Sequence, residues 1–165
     1  INFSKPISTG TVSVSDYDLD GFDDLFIGER FNPTVYGLPS SGYLFRNNGD
    51  NTFTNVPTKI FNDIGLITSS KWEDLDNNNY PDLVLAGEWM AIKIYLNDKG
   101  DFSKVEPFDV DSSKGLWQDI ELVDVDNDSD IDIIAGNLGS NTFFKSEMRM
   151  YVNDFVQLFH LNQSH

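Results

Sequence analysis

The sequence predicts an all-β protein in which four-stranded antiparallel sheets repeat along the chain as the blades of a β-propeller. Similar segments recur about every fifty residues, and each of three acidic runs leads into an apolar run that ends in glycine. Turns rich in Asn, Asp and Gly separate the predicted strands, and no stretch has the periodicity of a long amphipathic helix. Four-stranded sheets that repeat about every 40 to 50 residues are typical of propellers.

The repeats divide the chain into three units. Phe3, Phe53 and Phe102 mark one feature at intervals of 50 and 49 residues, and the acidic runs begin 58 and then 50 residues apart. We therefore expect propeller repeats over residues 1–155, followed by an atypical tail at 156–165. The predicted units are 8–57, 58–107 and 108–161, with residues 2–7 as the outer strand of a preceding blade.

Each unit is predicted to contain a strand, an acidic loop, a second strand, a variable connection and a hairpin. The turns Asn48-Gly49-Asp50 and Asp98-Lys99-Gly100 have hairpin chemistry, because Asn, Asp and Gly tolerate positive φ. The second strands are apolar on both faces, as in a sheet packed between neighbours. The predicted strands are 11–16, 23–28, 42–47 and 51–56; then 70–74, 82–87, 91–97 and 102–107; then 117–124, 130–136, 148–153 and 156–161.

The acidic runs are nine-residue loops with oxygen-bearing side chains at positions 1, 3, 5 and 9. Ca²⁺ takes about 6–8 oxygens at roughly 2.3–2.6 Å, and position 7 would add its backbone carbonyl. Position 6 (Gly21, Asn79 or Ser129) is expected to take positive φ. We predict about three Ca²⁺ ions, one per loop. The predicted ligands are Asp16, Asp18, Asp20, Phe22 and Asp24; Asp74, Asp76, Asn78, Tyr80 and Asp82; and Asp124, Asp126, Asp128, Asp130 and Asp132.

These loops have other possible interpretations. A single Asp-rich turn is usually a solvated loop, but three in register, each before an apolar Gly-ended run, favour metal sites. An EF-hand needs flanking helices and a Glu at position 12, where this chain has Ile27, Leu85 or Ala135. The flanks also alternate as strands do, so we exclude that fold. Mg²⁺ or Mn²⁺ in place of Ca²⁺ stays open.

Composition narrows the classes of function. The net charge is −16, and the three loops hold 13 of the 27 acidic residues, so the negative charge is concentrated where cations would offset it. With no basic patch, nucleic-acid binding is not expected. The absence of cysteine excludes disulfides and zinc–thiolate sites. No apolar stretch approaches the length of a membrane span, and low-affinity calcium sites favour an extracellular setting.

These features resemble a known repeat family. The loops with their Gly-ended followers look like FG-GAP/VCBS repeats, the calcium-bearing blades of integrin-α-type propellers. The segments LVLAGEW (83–89), WQD (117–119), IAGNLG (134–139), 42–47 and YVNDF (151–155) are similar to bacterial VCBS proteins of the ASPIC/UnbV-associated group. The resemblance covers residues 1 to about 155. It implies a seven-bladed propeller, secreted or attached to the cell surface, with structural calcium and a role in adhesion or recognition.

The chain departs from this family in two respects. Members typically follow the motif at 153–155 with another acidic loop, whereas the tail here has no such ligand array. Three units and one strand are also too few to close a ring that typically has four to eight blades. We therefore expect the remaining blades of a longer protein, or other copies of the chain, to complete the propeller.

A ligand would be expected on the connections opposite the acidic loops, because function is often carried by loops on a rigid scaffold. The candidates there are Arg30, Tyr36, Trp89 and Asn137, whereas Trp72 and Trp117 are better explained as packing residues. An extracellular protein or a glycan is the expected partner.

An enzyme is not predicted. The only histidines are His160 and His165 in the tail, and no catalytic triad or phosphate-binding glycine loop is present. Two alternatives stay open: a lyase-like enzyme acting on polysaccharides, with Arg30, Lys93 or a Tyr as base, and a purely structural repeat scaffold.

Overall fold

The computed structural model describes residues 1, 3, 6–32, 35, 37–110 and 113–138, together with the strand at 156–160. Over these residues the protein is all-β, its strands pair antiparallel, and none of them is in a helix. Accordingly, no helix in this part of the chain is long and apolar enough to cross a membrane. The predicted fold class is confirmed.

The first blade is a four-stranded sheet in simple up-and-down order, β1-β2-β3-β4. The side chains of its central strand β2 alternate between the two faces of the sheet. Phe26 points toward the second blade, while Ile27 pairs with Val12 on the opposite face. The strands are β1 Ser8–Ser15, β2 Asp24–Phe31, β3 Gly42–Asn47 and β4 Phe53–Asn55.

The second blade follows the same plan, and the structure describes three strands of the third blade. The end of β6 also pairs with the start of β9, at Glu88 with Leu116 and Met90 with Gly115, which joins the two blades into one seven-stranded sheet. The strands are β5 Leu66–Glu73, β6 Asp82–Met90, β7 Lys93–Tyr95 and β8 Phe108–Asp109 in the second blade, and β9 Gly115–Val123, β10 Asp132–Asn137 and β11 Val156–His160 in the third.

The core lies between the blades, in two layers that share strand β6. Leu83 and Leu85 pack in the layer toward the first blade, and Val84 and Ala86 pack in the layer toward the third. All four side chains are fully buried, which confirms the prediction that second strands are apolar on both faces. Burying a leucine of this kind stabilises the fold by about 1.5–3 kcal/mol, so β6 is a principal element of the core.

The predicted fourth strand of the second unit, 102–107, was wrong. Residues 102–105 form turns and bends, Asp101 makes an isolated bridge with Asp98, and the strand that pairs with β7 is Phe108–Asp109. The physical reason is Phe102, which is 4% exposed and packs against Tyr17, Phe61 and Trp72. Because the Phe102 side chain turns into the core, the backbone at this point cannot continue as an extended edge strand.

The two ends of the chain also differ in part from expectation. The strand at 156–160 pairs directly with β10, so it takes the third position in its blade and not the expected fourth. At the start of the chain, Phe3 is not in a strand but packs edge-on against Tyr43 and Phe45, with ring centroids 5.2 and 5.5 Å away. The predicted strand 148–153 lies outside the described residues.

The connections separate to two ends of the blades, as the predicted topology requires. At one end, the β2–β3 and β4–β5 connections meet where Ser40 N donates to Gly65 O at 2.9 Å. At the other end lie the acidic loops and the turns that join the third and fourth strands of each of the first two blades. There, Gly100 of the β7–β8 turn approaches Asp18 of the first acidic loop.

Candidate metal centre

Each acidic loop is folded by its own carboxylates. In the first loop, Asp16 at position 1 accepts hydrogen bonds from Asp20 N at 3.0 Å and Gly21 N at 2.9 Å. Asp20 at position 5 accepts from Phe22 N at 3.0 Å. The other two loops repeat these bonds through Asp74 and Asn78, and through Asp124 and Asp128. The side chains therefore curl the backbone around one centre.

Two positions in each loop take a left-handed backbone conformation. Position 6 does so as predicted, with φ of 91° at Gly21, 72° at Asn79 and 75° at Ser129. Sequence reasoning missed position 4, where Leu19, Asn77 and Asn127 have φ of 56°, 58° and 63°. Asn is enriched in this region of φ, so the two asparagines were a signal that could have found it.

The carboxylate at position 9 anchors each loop to its blade. Asp82 accepts hydrogen bonds from Leu75 N at 2.8 Å and from Asn97 N, at the end of the third strand, at 2.7 Å. Asp24 makes the same pair of bonds, from Tyr17 N at 3.3 Å and Asn47 N at 2.7 Å. In the third loop, the equivalent bond from Val125 N to Asp132 is 3.1 Å. In the first two blades, the backbone N–H of the repeated Asn therefore helps to position the loop.

The structure brings together the carboxylates of positions 1, 3 and 9. In each loop, one oxygen from each of these three residues lies within 4.8 Å of the others. Two oxygens bound to one ion at about 2.4 Å are at most about 4.8 Å apart, so the spacing fits a shared cation. The three clusters are Asp16, Asp18 and Asp24; Asp74, Asp76 and Asp82; and Asp124, Asp126 and Asp132.

A buried oxygen without a partner supports the same conclusion. Oδ1 of Asp18 is inaccessible to solvent and has no hydrogen-bond donor. A buried carboxylate oxygen normally needs a donor or a cation, because desolvation without compensation is costly. A divalent ion held between positions 1, 3 and 9 would supply that compensation.

Electrostatics point the same way at position 9. The side chains of Asp24 and Asp82 are fully buried, and burial raises the pKa of each to about 6. The value of about 6 also reflects the remaining carboxylates of the loops, which raise the pKa, and the backbone N–H groups, which lower it. Ionised and without a cation, these groups would repel one another, so the loops are built for positive charge.

The other predicted ligands have definite places but are not part of these clusters. Asn78 Nδ2 donates to Asn97 O at 2.9 Å, and its Oδ1 accepts from Tyr80 N. Asp20 forms an ion pair with Arg46. Ligation by the position 5 side chains and by the carbonyls of Phe22, Tyr80 and Asp130 stays a prediction.

Two residues at these loops were missed by sequence reasoning. Arg46 contacts Asp18 and Asp20, and Asn97 reaches from the second blade to donate to Tyr17 O in the first loop at 2.8 Å. Asn97 could have been found because the same residue recurs at Asn47 in the first unit. Arg46 could have been found because the equivalent position of the second unit has the apolar residue Leu96.

The candidates for a ligand-facing surface lie at the opposite end, near the ends of β2, β6 and β10. Arg30 is ion-paired to Glu88 at 2.7 Å, and Trp89 is 39% exposed with φ of 56°. Asn137 is nearly buried, and its Oδ1 accepts from Leu116 N at 3.3 Å. Tyr36 lies outside the described residues. A ligand role for these four residues stays a prediction.

Two tryptophans considered for packing behave as expected. Trp117 is 1% exposed within the layer between the second and third blades, and its Nε1 donates to Ser113 O at 2.6 Å. Trp72 is partly buried against the layer between the first and second blades.

Comparison with known families identifies the repeat. The model of the FG-GAP-like repeat matches residues 16–85 and 74–135, which together cover well over half of the chain. Both matches begin at position 1 of an acidic loop, so the family repeat coincides with the cluster geometry described above. A search of curated proteins finds no match. The chain therefore belongs to the family of FG-GAP-like repeat proteins, whose repeats form the blades of β-propellers.

Proposed function

We propose that the chain is a calcium-stabilised recognition or adhesion module that works outside the cell or at its surface. The observation that carries the calcium part is the recurrence, in three blades, of three carboxylates within 4.8 Å of one another. FG-GAP-like repeats are typical of extracellular domains, which supports the setting. The closer likeness to the ASPIC/UnbV-associated group, on the segments quoted above, is part of the proposal.

Calcium has a structural role in this proposal. Positions 1, 3 and 9 would hold the ion, assisted by position 5 and by the carbonyl of position 7. The ion supplies positive charge where buried carboxylates such as Asp24 and Asp82 face one another. Because position 9 is also bonded to the third strand, loading a loop would tie three strands of one blade together. A ligand that binds only the folded chain stabilises it by mass action.

Recognition is assigned to the end of the blades that carries Arg30, Trp89 and Asn137, with Tyr36 as a further candidate from the sequence. An exposed tryptophan beside an ion-paired arginine supports this choice, since aromatic and guanidinium groups contribute strongly to binding surfaces. The expected ligand is an extracellular protein or a glycan.

Further blades are expected to complete the ring, as in a seven-bladed propeller. The face of the first blade that points away from the second supports this expectation, because Val12 and Val14 are 55% and 54% exposed there. Their cross-strand partners on that face, Ile27 and Leu25, are also apolar. A blade of a longer protein, or of another copy of the chain, would cover this surface.

The calcium proposal is tested by thermal melting with calcium and with EGTA near neutral pH. We expect EGTA to lower the Tm and titration calorimetry to count about three Ca²⁺ ions. Asp126→Asn should remove one ion, while Asp130→Asn is the matched control: it removes the same charge from the same loop but only its backbone carbonyl is a predicted ligand. A melt that EGTA leaves unchanged, or equal effects of the two variants, would contradict the proposal. Competition with Mg²⁺ and Mn²⁺ identifies the metal.

The recognition proposal is tested on a glycan array and against extracellular proteins, with calcium present. Trp89→Ala should abolish binding by the intact protein, whereas Phe22→Ala, an exposed aromatic on the loop end, should leave it unchanged. Binding that survives Trp89→Ala would remove the assignment of this face. Turnover of acidic polysaccharides would instead favour the lyase-like alternative.

A further inference from the structure

We propose that Arg46 is a resident counter-ion of the first acidic loop, which competes with the divalent cation for Asp20 and lowers the affinity of this loop relative to the second. The inference rests on the proposed calcium function. It adds to that function a residue that makes the first site different from the second.

The contacts of Arg46 carry the proposal. Its Nε donates to Asp18 Oδ2 at 2.8 Å, and its Nη2 donates to Asp20 Oδ2 at 2.7 Å. One guanidinium therefore bridges positions 3 and 5 of the loop. Charge-assisted hydrogen bonds of this two-pronged kind are stronger than those between neutral groups and hold both side chains in a fixed geometry.

The fold places Arg46 at the loop with little freedom in its backbone. Arg46 pairs with Thr54 of β4, and the next residue, Asn47, donates its N–H to Asp24 in the same loop at 2.7 Å. The strand is thus fixed to position 9, and the arginine side chain extends along the loop toward positions 3 and 5. Its side chain is 49% exposed, so it can leave without opening the core.

The two carboxylates differ in what they leave for an ion. Asp18 uses only Oδ2 for the arginine, and its buried Oδ1 has no hydrogen-bond partner. Asp20 has no such oxygen, since Oδ1 accepts from Phe22 N and Oδ2 accepts from Arg46. A cation that takes Asp20 as a ligand must displace the guanidinium or bind beside its positive charge, whichever oxygen of Asp20 it uses. Either event costs binding free energy, which Arg46 would thereby subtract from the first loop.

The second loop has no arginine at the equivalent position. At the position equivalent to Arg46, next to Asn97, the second blade has Leu96, which packs in the apolar layer. Position 5 is the neutral Asn78, whose amide donates to Asn97 O and therefore needs no cation to hold it. The chain thus contains one loop with a built-in positive charge and one with the same fold and none.

The test is a calcium titration of the intact, isotope-labelled protein followed by NMR. The backbone amides at position 6, Gly21, Asn79 and Ser129, report the three loops separately, and the Nε–H of Arg46 reports the guanidinium. We expect Arg46→Met to lower the calcium concentration at which Gly21 responds by about tenfold, as expected for loss of a competing two-point ion pair. Asn79 and Ser129 should titrate as in the original chain.

Two variants serve as controls. Lys93→Met removes the same charge from a residue paired to Asp109, outside the loops, and should leave the Gly21 titration unchanged. Arg46→Lys keeps the charge but cannot bridge both carboxylates, so its effect should fall between those of arginine and methionine. It also preserves the test if the methionine variant does not fold.

The outcomes separate the inference from the function on which it rests. If none of the three amides responds to calcium, the calcium proposal fails. If Asn79 and Ser129 respond but Arg46→Met leaves Gly21 unchanged, the inference on Arg46 is refuted and the calcium proposal stands. An Arg46 Nε–H resonance that does not move while Gly21 does would also refute it, because the guanidinium would then not compete with the ion.

Discussion

Replacing Asn97 by alanine should destabilise the protein far more than the same change at its counterpart in the first blade. Asn97 is fully buried, and its Nδ2 donates to Tyr17 O at 2.8 Å and to Pro81 O at 2.9 Å. Its Oδ1 accepts from Gly100 N at 2.8 Å. Alanine would leave three backbone groups without this partner, at about 1–3 kcal/mol for each one that water cannot reach. We expect a loss of about 2–4 kcal/mol.

The matched control is Asn47→Ala. Asn47 occupies the same position in its blade, but its side chain bonds only Asp23 O and Gly49 N, both at 3.0 Å and both exposed. Water can replace these bonds, so the expected loss is about 0.5–1 kcal/mol.

Urea unfolding of both variants in calcium-free buffer, with equal m-values, measures the difference. If the two changes cost the same within about 0.5 kcal/mol, the view that Asn97 connects two blades through a buried hydrogen-bond network would be wrong.

Two further predictions concern pH and close packing. Burial raises the pKa of Asp24 and Asp82 from 3.8 to about 6, so the metal-free fold should lose stability as pH rises from about 4 through 6. Calcium requires the ionised groups, so the gain in Tm on adding calcium should grow from about pH 5 to pH 7. Gly87→Ala would place a Cβ 2.1 Å from Leu66 O and should cost about 1–3 kcal/mol or more. Gly136→Ala, whose nearest described neighbour is 3.8 Å away, should cost much less in the same urea assay.

The loops and second strands could be predicted because their information is local. The alternation of oxygens at positions 1, 3, 5 and 9 is a property of nine consecutive residues, and the structure brings three of the four carboxylate or amide positions of each loop together. The run Leu83 to Ala86 is apolar at every residue, which requires burial on both faces wherever the strand lies. Neither conclusion depends on knowing which segments are neighbours in space.

Predictions failed where a distant contact outweighed local preference. The likeness of segment 101–104 to segment 51–54 predicted an edge strand over 102–107. Burial of Phe102 against aromatic side chains of other strands and loops outweighed the two or three ladder hydrogen bonds that such a strand would make. The contact of Asn137 with another strand could not be predicted either, since this residue is nearly buried and accepts a hydrogen bond from Leu116 N, while its ligand role stays a prediction.

Repetition in the amino-acid sequence was therefore enough to establish the blade architecture and the carboxylate clusters, because each arises within a single hairpin. Tertiary structure alone revealed how the clusters differ and how they are connected. Arg46 reaches the first loop from another strand, and Asn97 reaches it from another blade, at separations of 26 and 80 residues along the chain. Contacts of that kind depend on how the blades pack against each other, which no nine-residue pattern contains.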